Sequence, residues 1–147
     1  MEKLDILLVE DNLNDAELAI RAIKKNNPSH LIEHISDGED ALEYFRKIAN
    51  PSQNNQRYMP KLILLDLKLP KVDGFEVLRT IRSIPETKLI PVVILSSSGE
   101  ERDILECYQS GANSYLVKPV AFDQYVETVA EVSRYWLGFN LAVISKD

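Results

Sequence analysis

The sequence holds one cysteine, Cys107, in 147 residues. A lone thiol excludes a disulfide framework and a Cys-x-x-Cys redox pair. Cys107 falls in a helical pattern and reads as a small core or interface residue before it reads as a nucleophile. No apolar stretch reaches the roughly 18 residues of a membrane span. No signal-peptide apolar segment follows Met1, so a cytoplasmic location is expected. Basic residues are outnumbered, 17 Lys and Arg against 23 Asp and Glu, for a net charge of -6. That balance argues against non-specific nucleic-acid binding, which needs a basic footprint. Glycine is scarce, with 5 in the chain. There is no G-x-x-x-x-G-K and no Gly-rich turn after the first strand, so the phosphate cradle of a nucleotide-binding module is missing.

What is present is a set of short aliphatic runs. Lys61-Leu62-Ile63-Leu64-Leu65-Asp66 is unbroken until it meets a carboxylate. Such a run predicts a strand buried on both faces, as in a parallel sheet covered by helices. Asp5–Val9 and Ile90–Leu95 read the same way, Ser114–Val117 is a shorter strand, and Leu31–Ser36 is more polar and so nearer an edge. Between them, apolar residues recur at helical spacing. Ala16, Ala19, Ile20 and Ile23 mark a first helix to Lys25, stopped by Asn26-Asn27-Pro28. Ala41, Leu42, Phe45 and Ile48 mark a second, and Phe75, Val77, Leu78 and Ile81 a third. The fourth spans Glu100–Ser110, with Ile104, Leu105 and Tyr108 on one stripe and Gly111 as its C-cap. The fifth runs from Phe122 through Tyr125, Val126, Val129 and Val132 to Tyr135 and Trp136. Residues 50–59 are a polar insertion without periodicity, and 137–147 form an unassigned tail. Strands that alternate with helices in one pass imply an α/β fold. The simplest arrangement is a flavodoxin-like, doubly wound five-stranded parallel sheet in the order 2-1-3-4-5. No linker divides residues 1–147, so a single domain is expected.

In open α/β sheets ligands bind at the carboxyl ends of the strands. Glu10 and Asp11 follow the first strand and Asp66 the third, which this order makes neighbours. Each alone reads as a strand exit or a helix cap. Three converging carboxylates repel one another and call for a cation. An all-oxygen site with few protein ligands suits Mg2+. Ser96 ends the fourth strand and Lys118 the fifth; alone they read as a turn serine and a solvated charge. Together the five suit phosphoryl transfer, with an aspartate as nucleophile, a lysine as point charge and a hydroxyl as hydrogen-bonding group. Pro119 after Lys118 is a candidate cis-proline.

At these residues the chain resembles the receiver domain of two-component response regulators. The resemblance rests on Ile6–Asp11, Leu64–Pro70, Asp73-Gly74, Pro91–Ser96 and Gly111–Pro119, within residues 4 to 136. It implies that Asp66 is phosphorylated by a sensor histidine kinase. It implies further that Mg2+ is held by Asp11, Asp66 and the backbone carbonyl of Lys68, with Glu10 acting through water. Ser96 and Lys118 would bind the phosphoryl group. Ser96 and Tyr115 would form the switch that remodels the face of the fourth helix, fifth strand and fifth helix. Tyr115 alone reads as a half-buried strand aromatic. Ser96 stands where the family more often has Thr. The Lys68 side chain could also reach the site.

The polar insertion and the aromatic segment Tyr135-Trp136-Leu137 further resemble the small single-domain regulators paired with bacterial phytochrome kinases. Tyr108, Tyr125 and Trp136 are candidates for a homodimer face, with core packing and helix-end anchoring as the equal alternative. The function expected is a phosphorelay protein that switches partner binding or dimerisation, without a DNA-binding output domain and without contact to a membrane. Two other classes compete. An aspartyl-phosphate phosphatase would carry a second Asp two residues after the nucleophile, where this chain has Lys68. A flavin or nucleotide module would not place an acidic turn after the first strand.

Overall fold

Five parallel strands order this protein, each followed by a helix. The computed structural model describes residues 4–51 and 58–143. In chain order the elements are β1 (Leu4–Val9), α1 (Leu13–Asn26), β2 (Ile32–Ile35), α2 (Gly38–Ala49), β3 (Pro60–Leu65), α3 (Gly74–Ser83), β4 (Val92–Ser96), α4 (Glu101–Gln109), β5 (Ser114–Val117) and α5 (Phe122–Arg134). The sheet order is β2-β1-β3-β4-β5, the expected doubly wound arrangement.

Alternation along the strands builds two cores. Leu7, Val9, Ile63, Leu65, Val92 and Ile94 face the layer of α2, α3 and α4. Ile6, Leu8, Leu62, Leu64, Val93 and Leu95 face α1 and α5. A strand covered on both sides needs apolar residues at every position, which is why these segments read as continuous runs. Helix starts follow the capping rule: Asn12 Oδ1 accepts the Asp15 N–H at 3.0 Å, Asp37 Oδ1 the Asp40 N–H at 2.8 Å, and Asp73 Oδ1 the Glu76 N–H at 3.1 Å. Gly111 follows α4 with φ +104, the left-handed turn expected of a C-terminal glycine.

Several expectations are corrected. Pro91 lacks an N–H and β4 begins after it, at Val92 rather than Ile90. The predicted α4 stripe is not the buried one: Cys107 enters the core, while Leu105 and Tyr108 are 58% and 49% exposed. Burial pushes the Cys107 thiol up to about 12, which removes it as a nucleophile. The Lys118–Pro119 bond is trans, since no cis peptide occurs among the described residues. Trans is the favoured isomer, and the Lys118 N–H continues the ladder by donating to the Ser96 carbonyl at 2.7 Å.

Tyr125 does not belong to a surface patch. It is 3% exposed in the α1–α5 core, and its hydroxyl donates to the Asp15 carbonyl at 3.3 Å. Trp136 is half-buried against the same core and packs edge-to-face on Tyr135 at 5.2 Å. α5 ends at Arg134 and passes into a π-helical turn, Tyr135–Phe139, so the first residues of the expected tail are helical. Most of the 50–59 insertion, residues 52–57, lies outside the described residues, as do 144–147.

Candidate functional site

Glu10 and Asp66 each extend a strand by one residue. The Glu10 N–H donates to the Ile35 carbonyl and the Asp66 N–H to the Val9 carbonyl, both at 3.0 Å. Both side chains thus leave the sheet at its carboxyl edge, side by side and nearly buried. Asp11 joins them from an exposed position. One carboxylate oxygen from each of Glu10, Asp11 and Asp66 lies within 4.8 Å of the others.

Lys118 reaches into this group from the end of β5. Its Nζ is 2.6 Å from Glu10 Oε1, 3.0 Å from Asp66 Oδ2 and 3.2 Å from Asp15 Oδ2. Backbone donors hold the remaining carboxylate oxygens. The Asn12 N–H donates to Glu10 Oε2 at 3.1 Å and the Lys68 N–H to Asp66 Oδ1 at 3.3 Å. Burial pushes the Glu10 carboxyl up to about 7, and the Asp66 charge adds to that against the pull of Lys118. The Lys118 ammonium is raised further above its ordinary value, because its bonds and charges from Glu10 and Asp66 outweigh its own burial.

The donor set fits a hard divalent cation. Three carboxylates offer oxygen atoms to an ion, directly or through water, Asp11 from an exposed position, and the excess of acid over the lone ammonium favours added positive charge. The Lys68 side chain is exposed and forms none of the ion pairs found among the described residues.

Ser96 takes no part in the ion pairs of the cluster. It is fully buried, and its Oγ accepts the Ser98 N–H at 3.1 Å. The Tyr115 hydroxyl donates to the Ser98 carbonyl at 2.8 Å. One loop residue therefore joins the hydroxyl that ends β4 to the aromatic on β5. Burial pushes the Tyr115 phenol up, so it stays a donor near neutral pH.

The loop after Asp66 is packed closely. The Gly74 N–H donates to the Leu67 carbonyl at 2.8 Å. A Cβ on Gly74 would meet the Asp66 carbonyl oxygen at 2.4 Å. Asp73-Gly74 is thus where α3 starts against the backbone of the acidic residue.

The structure brings Glu10, Asp11, Asp66 and Lys118 together, and links Ser96 to Tyr115 through Ser98. It adds Asp15, whose carboxylate meets Lys118 Nζ at 3.2 Å. Asp15 sits on the first turn of α1, and its contact is with Lys118, 103 residues away in sequence, so no local spacing signals it.

The response regulator receiver domain family matches residues 6–130. The chain belongs to that family. A curated relative, the probable methanogenesis regulatory protein FilR2 of Methanothrix harundinacea, is 43% identical over 92% of this chain and 84% of its own length. The phosphorylated cyanobacterial phytochrome response regulator RcpA is 38% identical, with a TM-score of 0.85 over 96% of this chain and 99% of that one. The Mn2+-bound response regulator Rcp1 is 34% identical, with a TM-score of 0.87 over 97% of this chain and all (100%) of that one. The expected receiver fold and its kinship with phytochrome-associated regulators are therefore found. No helix among the described residues of this receiver domain is long and apolar enough to cross a membrane.

Proposed function

We propose that this receiver domain is a phosphorylation switch in which Asp66 accepts a phosphoryl group from a sensor histidine kinase. The observation that carries the reading is the Lys118 ammonium, 3.0 Å from Asp66 Oδ2 inside a cluster of three candidate metal ligands. An Asp66 oxygen attacks phosphorus as the bond from phosphorus to the donor imidazole nitrogen breaks. The electron pair leaves with the imidazole, which takes up a proton. Little covalent chemistry is asked of the protein beyond holding the nucleophile in line and neutralising charge.

Asp11, Asp66 and the Lys68 carbonyl would hold Mg2+, with Glu10 acting through water. When bound, the ion supplies charge neutralisation between the carboxylates and the incoming phosphoryl group. The Mn2+-bound Rcp1 neighbour and the carboxylate cluster support this assignment. Lys118 takes one phosphoryl oxygen and the Ser96 hydroxyl another. Ser96 can donate to that oxygen while its Oγ still accepts from Ser98. Any displacement of Ser96 is then carried through Ser98 to Tyr115. Added phosphoryl charge biases this two-position element.

The output surface we assign is the face of α4, β5 and α5. Leu105, Tyr108, Val117 and Phe122 are all exposed there. A homodimer through this face would use Tyr108 but not Tyr125, which is core. The likeness to RcpA supports a phytochrome kinase as the phosphodonor. The phosphatase alternative lacks its general acid, because Lys68 occupies that position.

The test is incubation with Mg2+ and acetyl phosphate, and separately with a phosphorylated phytochrome kinase. The expected product is one base-labile phosphate on the wild type and none on Asp66→Asn. An adduct that survives the substitution overturns the assignment of Asp66. Rapid multiple turnover of phosphate esters would return the phosphatase reading. Labelling by acetyl phosphate but not by the phytochrome kinase would reject the phytochrome partner alone.

A further inference from the structure

Asp15 is the member of the pocket that the phosphoacceptor chemistry leaves unused. Its carboxylate comes from the first turn of α1, not from a strand end, and reaches Lys118 Nζ at 3.2 Å. An ammonium has three N–H donors. In this structure three carboxylates stand within bonding distance of them. A phosphoryl oxygen can bond Lys118 only if one of these partners yields.

The three partners are not equal. Glu10 lies closest, at 2.6 Å, and its side chain is 3% exposed, so water cannot readily replace Lys118 there. Asp66 carries the phosphoryl group itself and stays near the ammonium by covalent attachment. Asp15 makes the longest contact, and its side chain is 28% exposed, so water can replace Lys118 at low cost. The Asp15 contact is the longest and most exposed of the three.

We infer that Asp15 is a displaceable counter-ion for Lys118, which gives way when the lysine takes a phosphoryl oxygen and thereby slows phosphoryl capture by the resting protein. This rests on the reading of Asp66 as phosphoacceptor. Asp15 acts on the reaction through Lys118 and is a positioning residue.

The experiment is a double-mutant cycle on acetyl phosphate labelling of Asp66 at saturating Mg2+, using Asp15→Asn, Lys118→Ala and the double variant. Beryllofluoride affinity is the second readout. Asp15→Asn keeps an amide oxygen in place and removes the charge. The expected result is a gain of about two- to five-fold in labelling rate, the size set by a partly exposed ion pair. Beryllofluoride affinity rises by a similar factor. Both gains vanish in the Lys118→Ala background, and Asp15→Glu restores the slower rate.

An equal gain in both backgrounds would mean that Asp15 merely repels anions, and it overturns the proposal. So does an unchanged or slower rate in Asp15→Asn. Absence of label on the wild type would instead sink the phosphoacceptor reading, so the two failures are distinguishable. Beryllofluoride binding keeps the cycle readable if labelling of Lys118→Ala is too slow to follow.

Discussion

Glu10 shows how burial and charge share a single side chain. It bonds an ammonium at 2.6 Å and a backbone N–H at 3.1 Å, yet its carboxyl is raised from 4.5 to about 7. The larger effect is loss of water around a charge that must also face Asp66. The sign for stability follows directly. A carboxyl whose folded value lies above its unfolded one stabilises the fold while protonated. That contribution is full below about 4.5 and is lost as pH rises through about 7. In chelator, wild type should therefore lose stability from about pH 4.5 to about pH 7 relative to Glu10→Gln. Added Mg2+ should reduce the difference. Parallel pH profiles for the two proteins in denaturant melts would refute this account. Residue identity alone told less than position: Glu10, Asp66 and Lys118 read singly as strand exits and a surface charge. Asp15 was hidden because its partner Lys118 is 103 residues away in the chain.

Elements explain why these side chains meet. Residues on one face of a strand alternate with those on the other. Leu8 and Leu64 face α1, and Glu10 and Asp66 lie two residues further along their strands. Lys118 stands in the same relation to Leu116, which packs on the α1–α5 core. The first turn of α1 then brings Asp15 to the ammonium. Tyr115, by contrast, packs against the other core. Its hydroxyl donates to the Ser98 carbonyl in the β4–α4 loop, two residues after Ser96. The start of α3 is the tightest of these supports. Gly74→Ala places a methyl 2.4 Å from the Asp66 carbonyl oxygen and 2.6 Å from Leu67 Cα. Backbone must shift to admit it, at a cost of about 1–3 kcal/mol. The expected outcome is a lower melting midpoint together with slower labelling of Asp66. Unchanged values for both would show that the loop adapts freely.

At the scale of the whole molecule, exposed apolar side chains are unevenly spread. α4 buries only Cys107, and Leu105, Tyr108, Val117 and Phe122 remain open on the α4–β5–α5 side. Sedimentation with beryllofluoride and Mg2+ should show a larger dimer fraction than without them. Tyr108→Lys should lower that fraction without altering the label on Asp66. Equal dimer fractions with and without the phosphoryl mimic would reject a phosphorylation-dependent dimer. The order of elements and the meeting of Glu10, Asp11, Asp66 and Lys118 were legible in the chain, because parallel strands buried on both faces need unbroken apolar runs that stop at the sheet's carboxyl edge. The burial of Tyr125 was not, since an aromatic at helical spacing looks the same whether it meets a partner molecule or α1. Nor was Arg82, whose guanidinium bonds the carbonyls of Gly111, Lys88 and Ile90 and the side chain of Asn113 across three segments. Periodicity in sequence reports which face of an element is apolar. Which element covers that face, and which charges Lys118 must choose among, depend on contacts between residues as far apart as Asp15 and Lys118, and only the packed fold decides them.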